Sequence, residues 1–361
     1  MQTKRNRNRI SLFVVYALIG ICLSSCRGAG NRSIFDIASN GDITELNDAL
    51  KSGANVNALD KYQRTPLMFA AKTNQNPEVI SALIRAGAEV NGSDNHHWRP
   101  IIYAAKDNQN PKLMSTLIAA GAKVNVSDVN GETPLMFAAE FNKNPEIMKL
   151  LIKAGAKIDA RDKYNNMTEF MHAAASGNPG IITLLLRAGA KIHDRDKYGR
   201  TPLMFAAKNE NLKIVTMLIK AGAKIGDRDE DGKTPFINAA ESNANPRIIT
   251  ELIRLGSKIN DKDKKGMTPL MWAASFNRNP EIITALIKAG ANVNESDRSG
   301  GTPLMMAASS GNPDMVIVLI KAGADCKAKD GTGATVLNYM DGNEKLKDTE
   351  AYRLFMKKLS E

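Results

Sequence analysis

Cysteine is almost missing from this chain: three in 361 residues, at Cys22, Cys26 and Cys326, too few for a disulfide framework. Four histidines leave little material for a metal site, and no metal is expected. Aromatic residues make up only 5%, so any grouping of rings stands out. No G-x-G-x-x-G, P-loop or G-x-S-x-G occurs, which removes the usual phosphate cradles and the nucleophile elbow. Proline is confined to two recurring positions, and all 14 are used there, so none is left to mark a linker or second domain. A composition 43% hydrophobic and 24% charged excludes a disordered tail, a collagen-like fibre and a multi-span membrane protein.

What is present begins with a leader. Residues 1–9 carry Lys4, Arg5, Arg7 and Arg9 without an acid, and a largely apolar run from Ile10 to Leu23 follows. A basic segment, a short apolar segment and then small residues describe an export signal. Fourteen helical residues span about 21 Å, short of the roughly 30 Å of a bilayer core, which argues against an uncleaved anchor. Leu23-Ser24-Ser25-Cys26 resembles the bacterial lipobox. That resemblance implies cleavage before Cys26, lipid modification of its thiol, and a membrane-anchored lipoprotein. The expected organisation is a signal peptide over 1–25, a tether over 26–32 and one repeat domain over 33–361. Arg27 stands where an Asp commonly retains lipoproteins at the inner membrane, so in a Gram-negative host the resemblance leans toward the outer membrane. The net charge of +11, four of it in the leader, suits anionic envelope surfaces or acidic partners. An exported chain meets no chromosome, and no nucleic-acid partner is expected.

Three markers then recur in phase. Thr-Pro-Leu-Met begins at Thr65, Thr133, Thr201, Thr268 and Thr302, with variants at Arg99, Thr168, Thr234 and Thr335. A glycine, usually within Ala-Gly-Ala, returns every 33 or 34 residues from Gly53 to Gly323, and an Asp from Asp60 to Asp330. One period held by independent markers is a repeat array. In each unit Thr65 or its counterpart is placed to cap a first helix, with Pro at the first helical position. Asn76-Pro77 and its counterparts start a second helix in the same way. Leu67, Ala70 and Ala71 form one apolar stripe; Val79, Ile80, Leu83 and Ile84 form the other. Gly87 ends the second helix in a left-handed cap.

This pattern resembles ankyrin repeats over about residues 33–361, and 196–228 matches nearly end to end. The resemblance implies an all-α repeat solenoid of about ten helix-turn-helix units, with β-hairpin fingers and capping end repeats. The sequence departs from the family in three places. Met replaces the usual His after T-P-L, which puts the family's inter-repeat polar link in doubt. Many repeats carry one extra residue before Asn-Pro. The Thr168 repeat has Glu169 in place of Pro and a longer finger, and Gln63, His97 and Asn165 stand where other fingers turn on Gly, which predicts strain there.

The candidate partner-binding residues follow from the helical wheel. Phe69, Tyr103, Phe137, Phe205 and Trp272, with His172, Asn238 and Met306 at the same position, lie about 200° from the buried leucine. They lean toward the groove, either as a hot-spot stripe for a partner or stacked on neighbouring first helices. The finger tips add Tyr62, Trp98, Tyr164 and Tyr198 beside basic residues, a composition suited to protein recognition or to solvated turns. His96-His97 is a suggestive pair, but no acidic or cysteine partner beyond the finger's own repeated Asp94 recurs nearby in the chain. No catalytic residue, cofactor or small-molecule substrate is expected. The expected function is an envelope scaffold that binds another protein; the alternative is a structural spacer without a discrete partner.

Overall fold

The computed structural model describes residues 32–361; the leader, Cys26 and most of the tether lie outside the described residues. Among the described residues, twenty helices follow one another in ten pairs, from Ile34–Asn40 with Ile43–Lys51 to Val336–Asp341 with Glu350–Ser360. First helices pack on first helices and second on second, so the array is an all-α solenoid. Repeats are numbered 1 to 10 below, with first-helix caps at Ser33, Thr65, Arg99, Thr133, Thr168, Thr201, Thr234, Thr268, Thr302 and Thr335.

The caps explain the helix starts. Thr65 Oγ1 accepts from the Met68 amide at 3.4 Å, and Met68 Sδ accepts from the Thr65 amide at the same distance. Met136, Met204 and Met271 repeat that second bond at 3.5, 3.4 and 3.3 Å. The methionine that replaces the family's histidine thus serves as the weak acceptor of a capping box. Asn76 Oδ1 accepts from the Glu78 amide at 2.9 Å and starts the second helix. At its end the Ala88 amide reaches Leu83 O at 2.9 Å while Gly87 sits at φ +94°, a glycine-dependent stop. Leu67, Ala70, Ala71, Val79, Ile80 and Leu83 are fully buried. Each large apolar side chain in such a seam contributes about 1.5–3 kcal/mol.

The extra residue in the inter-helix loop has a structural task. Asn243, fully buried, caps the end of its first helix and donates from Nδ2 to Ala207 O at 2.9 Å and Asn209 O at 2.8 Å in the preceding repeat. Its Oδ1 accepts from the Asn245 amide at 2.8 Å. Asn74, Asn108, Asn142 and Asn277 each make the same two donations. This asparagine ladder supplies the inter-repeat polar link that the methionine cannot. Repeats 5, 6 and 9 lack the extra residue: 5 and 9 turn on Gly177 or Gly311 at positive φ, and repeat 6 has a shorter first helix and keeps the asparagine as Asn209, which donates to Ala175 O at 2.9 Å.

The fingers close as hairpins but are too short for strands. Asp60 N–H bonds Arg64 O at 3.1 Å, and among the described residues only Lys329 and Thr335 form a β-bridge. Successive fingers are joined by single amide bonds, Asn95 N to Tyr62 O at 3.2 Å through Gly331 N to Ser299 O at 2.7 Å. Gln63 and His97 take the strained left-handed conformation, at φ 60° and 61°. In the longer finger that strain falls on Asn166, at φ 58°, rather than on Asn165, because the inserted residue moves the turn along by one.

The candidate interaction face

Each finger is organised by its aspartate. Asp60 Oδ1 accepts from the Tyr62 and Arg64 amides at 2.9 and 2.8 Å, and the same oxygen of Asp94 and Asp196 repeats the pair. Oδ2 is then left facing the start of the next first helix, where it needs a donor. Tyr103 OH donates to Asp94 Oδ2 at 2.6 Å, Trp272 Nε1 to Asp263 Oδ2 at 3.0 Å, and Tyr339 OH to Asp330 Oδ2 at 2.6 Å. Where the residue is Phe69 or Phe205, which cannot donate, Arg64 Nε or Arg200 Nε takes over at 2.8 or 2.7 Å. The displaced guanidinium lies 4.6 and 4.7 Å from those rings. Asn238 is too short to reach: its amide bonds Thr234 O at 3.1 Å, and burial pushes the Asp229 carboxyl upward.

This geometry reassigns the row of rings. Tyr103, Phe137 and Trp272 are only 6%, 4% and 7% exposed, and Phe69 and Phe205 are half-buried. Trp98 sits between Tyr103 and Phe137, at centroid distances of 5.2 and 4.9 Å, and welds finger to helix. The folded-over finger covers what the helical wheel alone leaves open, so three of the five expected hot-spot rings offer little surface to a partner. The finger-tip tyrosines do offer it: Tyr62, Tyr164 and Tyr198 are 41%, 64% and 46% exposed. Arg64 and Arg200 stack on Tyr62 and Tyr198 at 5.1 and 4.9 Å, and Lys197 approaches both Tyr164 and Tyr198.

Two exposed rings were missed by the sequence reading. Phe141 and Phe276, 39% and 55% exposed, end their first helices and stack on Phe137 and Trp272 at 6.3 and 5.1 Å. Their signal was an aromatic four residues after the row position, one helical turn on. Phe276 borders a cleft of about 730 Å³ lined by Glu241, Ser242, Ala244, Asn277, Arg278 and Asn279.

His172 occupies the row position in repeat 5. Its Nδ1 lies 2.8 Å from Glu140 Oε2 and its Nε2 3.2 Å from Asp162 Oδ2. Burial would lower its pKa, but the bonds to Asp162 and Glu140 outweigh it and lift the imidazole to about 9. Beside it Glu132 is driven up by burial and by the Asp128 charge. Glu169 is fully buried with neither carboxylate oxygen hydrogen-bonded, and burial lifts it to about 8. His96 and His97 are exposed, and Cys326 is buried with its thiol pushed up by desolvation. Among the described residues no helix is long and apolar enough to cross a membrane.

No curated protein sequence matches the chain. A family model for ankyrin repeats in three copies matches four overlapping stretches, residues 34–128, 101–196, 170–263 and 236–330. The match agrees with the paired helices, the T-P-L caps and the stacked fingers, and the chain belongs to the ankyrin-repeat family.

Proposed function

We propose that the chain is a lipid-anchored protein of the bacterial envelope whose repeat array holds one protein partner against the finger tips and the ends of the first helices. Ankyrin repeats are protein-interaction scaffolds, and the array has the rigidity that display requires. The observation that carries the reading is the set of exposed rings on otherwise locked repeats: Tyr62, Tyr164 and Tyr198 on the fingers, Phe141 and Phe276 on the helices. Exposed Tyr beside Arg or Lys suits recognition, because the ring brings large contact area at low entropic cost. The lipobox resemblance at Leu23–Cys26 supports the anchor, and the basic balance supports a place near anionic headgroups.

The test is crosslinking capture from host envelopes with three forms of the protein. One protein taken by the wild type, and lost with Tyr62→Ala/Tyr164→Ala/Tyr198→Ala or with Phe141→Ala/Phe276→Ala, supports the reading and places the contact. Equal capture by all three moves the contact off these rings. No capture favours the spacer reading. Labelling with radioactive palmitate checks the anchor separately: Cys26→Ser must abolish incorporation.

A further inference from the structure

We propose that Glu132, Glu140 and His172 form a binding site for a divalent transition-metal ion across the seam between repeats 4 and 5. One donor atom from each side chain lies within 4.8 Å of the other two. Glu132 and Glu140 come from repeat 4, His172 from repeat 5, so a bound ion would fasten one repeat to the next.

Three features single this place out. First, the imidazole is aimed. Asp162, 5% exposed and itself held by the Tyr164 and Asn165 amides at 2.9 and 2.6 Å, fixes Nε2, and Nδ1 faces Glu140 at 2.8 Å, where a bound ion would replace the proton between them. A carboxylate holding one imidazole nitrogen while the other faces a metal is the arrangement that sets ring orientation and raises ligand basicity.

Second, the charge pattern of the array is inverted here. The residue before the first-helix cap and the residue near that helix's far end are both basic in repeat 2 (Arg64, Lys72) and repeat 6 (Arg200, Lys208). In repeat 4 both are acidic. In repeat 7 the acid Glu241 is met by Lys233 and Lys208, at 3.1 and 3.6 Å. No lysine or arginine pairs with Glu132 or Glu140 among the described residues, and His172 is the base they face.

Third, Glu132 is mostly withdrawn from water, yet no hydrogen bond to its carboxylate occurs among the described residues. Glu132 feels the charges of Asp128, Glu140 and Asp162 against that of one imidazole, an excess of negative charge that a cation would balance. One imidazole nitrogen with two carboxylate oxygens suits Zn²⁺ or Mn²⁺ better than Ca²⁺, which prefers oxygen alone. Glu140 is exposed, so the ion has an entry path and water can complete its coordination.

The full, tag-free chain, stripped with a chelator, is titrated with Zn²⁺, Mn²⁺ and Ca²⁺ by calorimetry. Expected is one equivalent of Zn²⁺ or Mn²⁺ at this site, bound about tenfold or more weakly by Glu132→Gln and by His172→Asn. The His96→Asn/His97→Asn pair should leave that binding unchanged. Because His172→Asn also breaks bonds between repeats, Glu132→Gln, whose side chain holds nothing else in place, is the deciding variant. Absence of Zn²⁺ and Mn²⁺ binding at millimolar concentration would overturn the proposal. So would binding that Glu132→Gln does not weaken, binding lost with the His96/His97 pair, or Ca²⁺ bound as tightly as Zn²⁺.

Discussion

The outer seams and the central seams of this array solve one problem with different chemistry. After the second helix of repeats 1, 2 and 3, Asn57, Asn91 and Asn125 donate to the next repeat at Gly87 O, Gly121 O and Gly155 O, at 2.9, 3.0 and 2.9 Å. Each accepts the amide two residues beyond that glycine, at 3.0, 2.9 and 2.8 Å. Asn260 and Asn294 do the same after repeats 7 and 8. In the centre the position is Asp159, His193 and Gly226, and the asparagine link is gone. There Arg161, Arg195 and Arg228 stand where the outer fingers carry Leu59, Ser93 and Ser127. Arg195 Nη1 donates to Gly199 O at 2.6 Å and to Arg228 O in the next repeat at 2.7 Å, and its Nη2 meets Asp227 at 3.0 Å. Arg161 and Arg228 repeat the three contacts. A neutral amide joins the outer repeats and a charged fork joins the central ones. The difference teaches that the same junction can be closed by neutral or by charged contacts, which respond differently to salt.

The largest test of that contrast is at the central Glu169. Its folded-state pKa of about 8 lies above the ordinary 4.5, so the folded chain keeps a proton that the unfolded chain releases. Stability is therefore fully present below pH 4.5, falls as pH rises toward 8, and levels off beyond it. At about 1.4 kcal/mol per unit the loss amounts to several kcal/mol, and Glu169→Pro, the residue seven other repeats use here, should remove it. Denaturant melts at pH 5 and pH 9 read this directly; equal slopes for wild type and variant would refute it.

Next in size is the ladder that outer and central repeats share. Asn243→Ala leaves one buried and one half-buried carbonyl and a half-buried amide without partners, at a cost of about 2 kcal/mol that salt should not change. The smallest effect separates the two kinds of seam. Asn91→Ala and Arg195→Ala should each cost about 1 kcal/mol at low ionic strength. In about 1 M salt the Asn91 effect should persist while part of the Arg195 effect is screened away. Paired melts at two salt concentrations check it, and parallel behaviour would erase the distinction.

The period, the caps, the helix faces and the glycine stops were legible in the sequence because each depends on local geometry repeated many times. The asparagine ladder was visible only as an unexplained extra residue, since Asn74 acts on Ala38 O, 36 residues away. The row of rings was read on an isolated helix, where Tyr103 and Trp272 point outward. Their burial follows from Asp94 and Asp263 in the fingers, which draw the polar edge of each ring inward. Glu132, Glu140 and His172 are 8 and 32 residues apart in the chain and meet only once the repeats stack.

The amide bond between successive fingers is made anew at every step, each finger donating to the one before it. Together with the asparagine ladder it gives most junctions the same mating surfaces, so a whole unit could be duplicated or lost and the parts on either side would still fit. Such a chain can change its reach over generations by recombination between its own copies. The junction of repeats 4 and 5, where Gly177 replaces the ladder asparagine and a histidine sits between carboxylates, is the one where copying errors would be least interchangeable.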